Sequence, residues 1–214
     1  MKKIPNILHM IWIGNNTPPD YFSKNVSIWS QLMPDWNIKI WNNSDLTTEN
    51  IESNYLDLIN KSNIGAQKAD LLRYYVVNKF GGYYVDSDIT PYRSLEELNV
   101  GEHDFVLCHD LKIEWAYIIN AFFAASQNHK ILNYIIQEMF NVDLNNPQIH
   151  LTTGPAALGN GFFNFKDDSD CLVLPHWFFY RNKKGDIDLE TNEILLDTKD
   201  GIFGSHEYAA TWIK

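Results

Sequence analysis

Two aspartates that are separated by one residue could bind a metal ion. Asp86 and Asp88 follow the aromatic and β-branched run of residues 83–85, which predicts a short strand that ends here. In an extended chain, side chains two positions apart point to the same side, where unpaired carboxylates repel each other. Mn²⁺ or Mg²⁺ would relieve this repulsion and leave coordination positions for phosphate oxygens, so we expect a cation and diphosphate site. The alternative is that both aspartates stabilise a turn before Pro91.

The segment before this strand is predicted to be a helix that positions it. Apolar residues recur there at intervals of three and four, which predicts one buried face made of Ala69, Leu72, Tyr75, Val76 and Phe80. Gly81 and Gly82 end the helix, because glycine readily adopts the left-handed conformation found after helix C-termini. Asp70 and Arg73 lie one turn apart on this helix, so an ordinary exposed ion pair is one explanation for them.

Strand and helix patterns alternate along the rest of the chain. Strands are predicted at residues 7–13, 36–41, 105–109, 115–125 and 171–174, and helices at residues 20–33, 49–61 and 130–140. Another helix is predicted to begin at Thr152-Thr153-Gly154-Pro155, with threonine as its cap. The alternation predicts an α/β fold with a mainly parallel, twisted sheet flanked by helices. Ligands of such sheets bind at the carboxyl ends of strands, where both Trp12 and Asp86 are expected.

Length and composition exclude several classes of protein. The 214 residues suffice for one core and contain no linker or repeat, so a single domain is predicted. A formal net charge of −10 argues against a nucleic-acid partner. No apolar stretch approaches the roughly 20 residues of a membrane helix, and the start lacks a signal-peptide cleavage site, so we expect a cytoplasmic protein. Cys108 and Cys171 lie in apolar surroundings, which favours free thiols over a disulfide.

Three segments carry a resemblance to a known family. They are IPNILHMIWIG at residues 4–14, ADLLRYYVVNKFGGYYVDSD at residues 69–88, and HEYAATW at residues 206–212. They resemble the opening strand, the central signature and the closing His-x-x-x-x-Ser-Trp of glycosyltransferase family 32, whose sugar-binding region contains a DXD motif. Its members include fungal initiating mannosyltransferases, capsule and lipopolysaccharide transferases, and clostridial toxin glucosyltransferase domains.

The resemblance implies the GT-A nucleotide-sugar fold and roles for residues that bind the donor. Trp12, with Ile11 beside it, would stack on the nucleobase, although a tryptophan in an apolar strand can also belong to the core. Asp70 and Arg73 would contact the transferred sugar and the phosphates. Ala69 stands where the family often has serine, so the choice of base and donor stays open.

The DXD motif and the closing motif imply a metal site. Asp88 would bind the cation directly, with Asp86 contacting the ribose or a metal-bound water and His206 as a third ligand. Trp212 would close over the diphosphate from a C-terminal flap, with Thr211 supplying the hydroxyl of the family's serine. Two further contacts come from the residues themselves. Tyr84 would shape the nucleotide wall, and Asn120, predicted on an apolar strand, would contact the sugar or bond to backbone.

These expectations combine into a metal-dependent glycosyltransferase of the α/β, GT-A class. Residues 4–125 would bind a nucleoside diphosphate sugar, with a UDP-sugar preferred over GDP-mannose, and residues 126–214 would form the acceptor side and the flap. The family implies retention at the anomeric carbon and a glycan or glycolipid acceptor, compatible with peripheral association at the inner face of a membrane. The alternatives are a metal-dependent phosphohydrolase that uses the same residues, and a noncatalytic carbohydrate-binding protein.

Overall fold

A central sheet of six strands organises the computed structural model, which describes residues 3–109, 118–180, 202–207 and 209. Counting all strands in chain order, those of the sheet are β1 (Ile7–Ile11), β2 (Asn37–Trp41), β3 (Gly82–Val85), β5 (Phe105–Cys108), β6 (Phe122–Ala125) and β7 (Cys171–Leu174). Their spatial order is β2-β1-β3-β6-β5-β7. β1 runs parallel to β2 and β3, and β5 runs parallel to β7, whereas β6 is antiparallel to both neighbours. The predicted mainly parallel α/β sheet is therefore confirmed, with β6 as its reversed strand.

Helices cover both faces of the sheet and bury an apolar core on each side. They are α1 (Asp20–Leu32), α2 (Ser53–Lys61), α3 (Gly65–Phe80), α4 (Lys130–Met139), α5 (Ile149–Thr152) and α6 (Pro155–Phe165). On one face, Leu8 and Tyr83 pack with Trp29 of α1. On the other face, Tyr84 and Phe123 pack with residues of α2, α3, α4 and α6. Alternate residues of β1 and β3 thus contact opposite layers, as expected for a sheet that is covered twice.

Helix α3 is more completely enclosed than a helix with one buried face. Besides the predicted stripe, Leu71, Tyr74 and Val77 are fully buried, because α3 lies between the sheet and α4. Its end is set by close packing as well as by backbone conformation. Gly81 has φ of 67°, and a Cβ there would lie 2.8 Å from the ring of Pro5. Any larger residue at this position would therefore push the amino-terminal segment away from the sheet.

Several predicted boundaries are wrong. The strand expected at residues 115–125 begins only at Phe122; residues 118–121 form no strand, and residues 115–117 lie outside the described ranges. The first strand ends at Ile11, and the helix expected from residue 49 begins at Ser53. α6 begins at Pro155 as expected, but its N-cap residue is Gly154, without a side-chain cap, so threonine is not the cap.

A small second sheet, which the sequence patterns did not predict, joins distant parts of the chain. β4 (Ile89–Pro91) pairs antiparallel with β8 (Gly204–His206), and Ile89 lies opposite His206. Both cysteines are free, as expected. Within the described ranges, no helix combines the length and apolar character needed to cross a membrane.

Candidate active site

A cavity of about 880 Å³ opens at the carboxyl ends of β1 and β3. These strands are parallel neighbours, so the residues that follow them meet at one edge of the sheet. Nine residues singled out from the sequence line the cavity: Ile11, Trp12, Asp70, Arg73, Tyr84, Asp86, Asp88, Asn120 and His206. Trp212 and Thr211 lie outside the described residues. Such a large concave space with several polar groups is typical of a ligand site.

The two aspartates of the motif lie in a turn and not in an extended segment, so that prediction is wrong. The backbone N–H of Ile89 donates a hydrogen bond to the carbonyl oxygen of Asp86 at 3.1 Å, which closes the turn between β3 and β4. Asn25 of α1 also holds this turn, because its side-chain amide donates to the carbonyl oxygen of Ser87 at 3.0 Å. Asn25 is buried on the same face of α1 as Phe22 and Trp29. A polar residue at helical spacing from these two aromatic residues is the signal in the sequence that could have indicated this contact.

The turn and strand β8 together form an acidic triad of Asp86, Asp88 and His206. The Nε2 atom of His206 lies 3.1 Å from Oδ1 of Asp88 and 3.8 Å from Oδ2 of Asp86. One potential ligand atom from each residue lies within 4.8 Å of the others. Two carboxylates and an imidazole at this separation fit a divalent cation of the Mn²⁺ type, which accepts both oxygen and nitrogen ligands.

Charge attraction inside the triad outweighs the cost of burial. Burial lowers the pKa of His206, but its hydrogen bond to Asp88 and the negative charges of Asp88 and Asp86 raise the pKa above its ordinary value. Burial raises the pKa of Asp88, but the hydrogen bond and charge of His206 and the N–H of Ala209 bring the pKa below its ordinary value. The raised pKa of His206 therefore shows that the two carboxylates beside it favour positive charge at this position.

A second cluster lies next to the triad, and we call it the Asp70 network: Asp70, Arg73, Tyr74, Asn120 and Thr153. Arg73 pairs with Asp70 and with Asp86, each at 3.0 Å, and donates to the carbonyl oxygen of Asn120 at 2.8 Å. The side chains of Asp70 and Arg73 are only 7% exposed, so they do not form an ordinary surface ion pair. Most N–H groups of Arg73 are thus directed at protein acceptors, and Arg73 fixes the two carboxylates relative to each other.

Asn120 and Tyr84 contact these carboxylates directly. Asn120 precedes β6 instead of lying on a strand, and its amide donates to Asp70 at 2.9 Å and to the hydroxyl of Tyr74 at 3.1 Å. The hydroxyl of Tyr84 donates to Oδ1 of Asp86 at 2.6 Å, while its ring lies 4.5 Å from the guanidinium carbon of Arg73. Tyr84 is therefore both a wall of the cavity and a support for the motif.

Trp12 lies at the other side of the cavity, in the loop after β1. Its indole N–H donates to the carbonyl oxygen of Asn16 at 2.9 Å, and its ring packs against Phe22 at a centroid distance of 5.7 Å. The residue is half-buried, whereas its neighbour Ile11 is only 4% exposed. The tryptophan thus has an anchored ring that still borders the cavity, which is the arrangement that stacking on a planar base requires.

The comparisons with known proteins find glycosyltransferases. The family model described as "Glycosyltransferase sugar-binding region containing DXD motif" matches residues 19–106. An uncharacterised glycosyltransferase of Acanthamoeba polyphaga mimivirus is 31% identical over 64% of this chain and 56% of its own length. Inositol phosphoceramide mannosyltransferase 1 of Schizosaccharomyces pombe is 26% identical over 82% of this chain and 54% of its own length. The chain thus spans about half the length of these curated relatives.

Solved structures agree on the fold. The PaToxG glycosyltransferase superposes with a TM-score of 0.60 at 18% identity, covering 76% of this chain and 70% of that one. The UDP-bound glycosyltransferase domain of the YGT toxin gives a TM-score of 0.59 at 10% identity, covering 81% and 80%. At these identities the likeness shows the fold alone, and it confirms the expected GT-A architecture.

Proposed function

We propose that this chain transfers a sugar from a nucleoside diphosphate sugar to an acceptor hydroxyl, because the family model of glycosyltransferases whose sugar-binding region contains a DXD motif matches residues 19–106. The observation that carries the proposal is the acidic triad at the edge of the large cavity. A diphosphate is the substrate group that such a cation site suits best.

Each side of the cavity has a part in the proposed reaction. Asp86, Asp88 and His206 hold the cation, and Trp12 stacks on the nucleobase. When bound, Mn²⁺ or Mg²⁺ supplies positive charge that stabilises the departing diphosphate. Arg73 adds fixed positive charge and keeps Asp86 oriented. We assign residues 4–125 to the donor side and residues 126–214 to the acceptor side, although His206 joins the donor side through β8.

We further propose that the reaction retains the anomeric configuration by front-face attack. Asp70 is the only carboxylate that lines the cavity, among the described residues, outside the triad. It already accepts hydrogen bonds or ion pairs from Arg73, Asn120 and Thr153, which makes it a weak nucleophile for a covalent intermediate. The acceptor hydroxyl then attacks from the side on which the diphosphate leaves.

The choice of donor follows from similarity to other proteins. A UDP-bound toxin domain shares the fold, and a mannosyltransferase is among the relatives, so UDP-sugars are the first candidates and GDP-mannose the second. A glycan or glycolipid hydroxyl is the proposed acceptor. Localisation in the cytoplasm stays a prediction.

A donor screen with Mn²⁺ tests the proposal. Release of the nucleoside diphosphate is measured from UDP-glucose, UDP-galactose, UDP-N-acetylglucosamine and GDP-mannose, with and without a panel of saccharide acceptors. A transferase releases the nucleotide much faster when the right acceptor is present. Equal release with every acceptor would indicate a phosphohydrolase instead. Saccharide binding without any response to nucleotide, measured by calorimetry, would indicate a carbohydrate-binding protein.

A variant of Asp88 ties this activity to the triad. Asp88→Ala is expected to abolish metal-dependent release while the protein stays folded, because the cation loses a direct ligand. Asp35→Ala, at an exposed position before β2, is the matched control for loss of a carboxylate. Full activity of Asp88→Ala without added metal would overturn the assignment.

A further inference from the structure

Thr153 lies in the turn between α5 and α6, and its hydroxyl contacts the site instead of capping a helix. The residue is completely buried, and Oγ1 donates a hydrogen bond to Oδ2 of Asp70 at 3.0 Å. The adjacent Thr152 behaves differently, since its hydroxyl bonds only to backbone carbonyl oxygens of its own helical segment. Two neighbouring threonines therefore offer one hydroxyl to the site and one to local structure.

The hydroxyl of Thr153 completes the orientation of the Asp70 carboxylate. Oδ1 accepts from Arg73 at 3.0 Å and from Asn120 at 2.9 Å. Oδ2 accepts from Thr153 and can accept one more hydrogen bond, because a carboxylate oxygen has two acceptor positions. Without the threonine hydroxyl, the carboxylate would be held through Oδ1 alone, and Oδ2 would lose the protein donor that the described residues give it.

The wall of the cavity next to Asp70 is held by the same contacts. The carbonyl oxygen of Gly154 accepts a hydrogen bond from the buried hydroxyl of Tyr74 at 3.0 Å. A Cβ atom at Gly154 would lie 3.1 Å from the backbone of the preceding helix and 3.4 Å from Oδ2 of Asp70. The turn is thus pressed against α3, and Asp70, Gly154 and Pro155 border one part of the cavity.

We infer that Thr153 is a positioning residue, which fixes the Asp70 carboxylate so that the second acceptor position of Oδ2 receives a hydroxyl of the transferred sugar. This inference rests on the proposed function, because it needs a sugar in the cavity. The turn between α5 and α6, which belongs to the proposed acceptor side, would then help to hold the donor. In this proposal the contact holds the sugar and not the nucleotide, so we expect the affinity for the nucleotide to be independent of Thr153.

Substitution of the hydroxyl separates positioning from packing. Thr153→Val keeps the shape of the side chain and is expected to lower kcat/KM for the active donor about 10- to 100-fold, the effect of losing one hydrogen bond to a charged group. The affinity for UDP with Mn²⁺, measured by calorimetry, should stay within about threefold. Thr153→Ser should recover most of the activity, and Thr152→Val is the matched control. Wild-type turnover by folded Thr153→Val, or equal losses in the serine and valine variants, would overturn the inference.

A second readout does not depend on turnover. Burial raises the pKa of Asp70 above its ordinary value, and the hydrogen bond from Thr153 opposes this rise. Carbon-13 NMR titration of labelled aspartate should therefore give a higher pKa for Asp70 in Thr153→Val than in the wild type, with Thr153→Ser close to the wild type. An unchanged pKa overturns the positioning role. A changed pKa in a protein that acts on no nucleotide sugar would leave the contact real and refute the proposed function.

Discussion

The acidic triad and the Asp70 network border the same cavity but differ in how far their charges are balanced. Asp70 is buried with a guanidinium, an amide and a hydroxyl directed at its two oxygens. The triad combines two carboxylates with one imidazole, and its three potential ligand atoms lie within 4.8 Å of one another. The charge of Asp70 is therefore balanced within the protein, whereas the triad keeps ligand atoms for the proposed cation. We therefore expect the network to supply rigidity and a sugar contact, and the triad to bind the cation.

Substitution of Asp88 is the most severe test of the difference between the triad and the Asp70 network. Asp88→Asn keeps the size of the side chain but removes the charge, so we expect turnover to fall about 10³-fold and the calorimetric binding of Mn²⁺ to disappear. Because Asp88 pairs with His206, the metal-free variant should lose some stability, but less than a variant of Arg73, which pairs with two carboxylates. Strong destabilisation of the metal-free variant would show that the triad is a structural cluster like its neighbour.

Substitution of Arg73 should instead cause a large loss of stability. Arg73→Met leaves Asp70 and Asp86 without their shared cation, and breaking a buried ion pair typically costs about 3–5 kcal/mol. Urea unfolding measures this change. Arg93→Met is the control, because Arg93 forms an exposed pair with Glu97, and such pairs contribute at most about 1 kcal/mol. Equal losses in the two variants would contradict the buried role of Arg73.

His9 shows what burial does to an ionisable group for which the described residues provide no ion pair with a carboxylate. Burial lowers the pKa of His9 to about 4 from 6.5, although its hydrogen bond to the carbonyl oxygen of Gly81 opposes the change. The unfolded chain thus binds a proton more readily than the folded protein, and stability present above pH 6.5 is lost as the pH falls toward 4. The expected loss is ~3 kcal/mol.

Urea unfolding at pH 7 and pH 4 measures this dependence. His9→Gln should reduce the difference between the two pH values by about that amount, while His103→Gln, at a position near the surface, serves as the control for removing an imidazole. If the change of pH alters the stability of the wild type and of His9→Gln by the same amount, the folded protein does not favour the neutral form of His9.

The smallest effect is expected at Tyr84, which supports the triad from outside. Tyr84→Phe removes the hydroxyl that donates to Asp86, and loss of a contact behind a metal ligand typically lowers metal affinity about 10- to 100-fold. We expect the lower end of this range, because Arg73 still holds Asp86. Calorimetry with Mn²⁺ provides the measurement, with Tyr92→Phe as control at a side chain that is 53% exposed. Unchanged affinity would remove Tyr84 from the site.

The parts of the site that depend on local pattern could be predicted from the sequence. Helix α3, its glycine end and the following strand were all visible in the spacing of apolar residues and in Gly81. The sequence predicts extended chain at Asp86 where the structure has a turn, because the two side chains converge in either conformation and the motif does not distinguish them. The fold class followed from alternation, which does not reveal that β6 runs antiparallel to its neighbours.

Contacts between distant segments could not be derived in this way. β4 and β8 have three residues each, too few for a recognisable period, so only the family motif pointed to His206. The Thr-Thr-Gly-Pro segment favours a helix start by itself. It became a contact to Asp70 because α6 packs against α4, which in turn contacts α3. Such outcomes depend on how layers pack and not on local preference.

The pairing of β8 with β4 also determines when the proposed cation site can form as the chain folds. All six strands of the central sheet precede Pro175, so this sheet does not need the part of the chain that carries His206. β4 cannot form its sheet without β8, and His206, the third residue of the triad, belongs to β8. A chain that has formed its central sheet can therefore still lack the complete triad, so we expect the proposed cation site to assemble later than the main architecture.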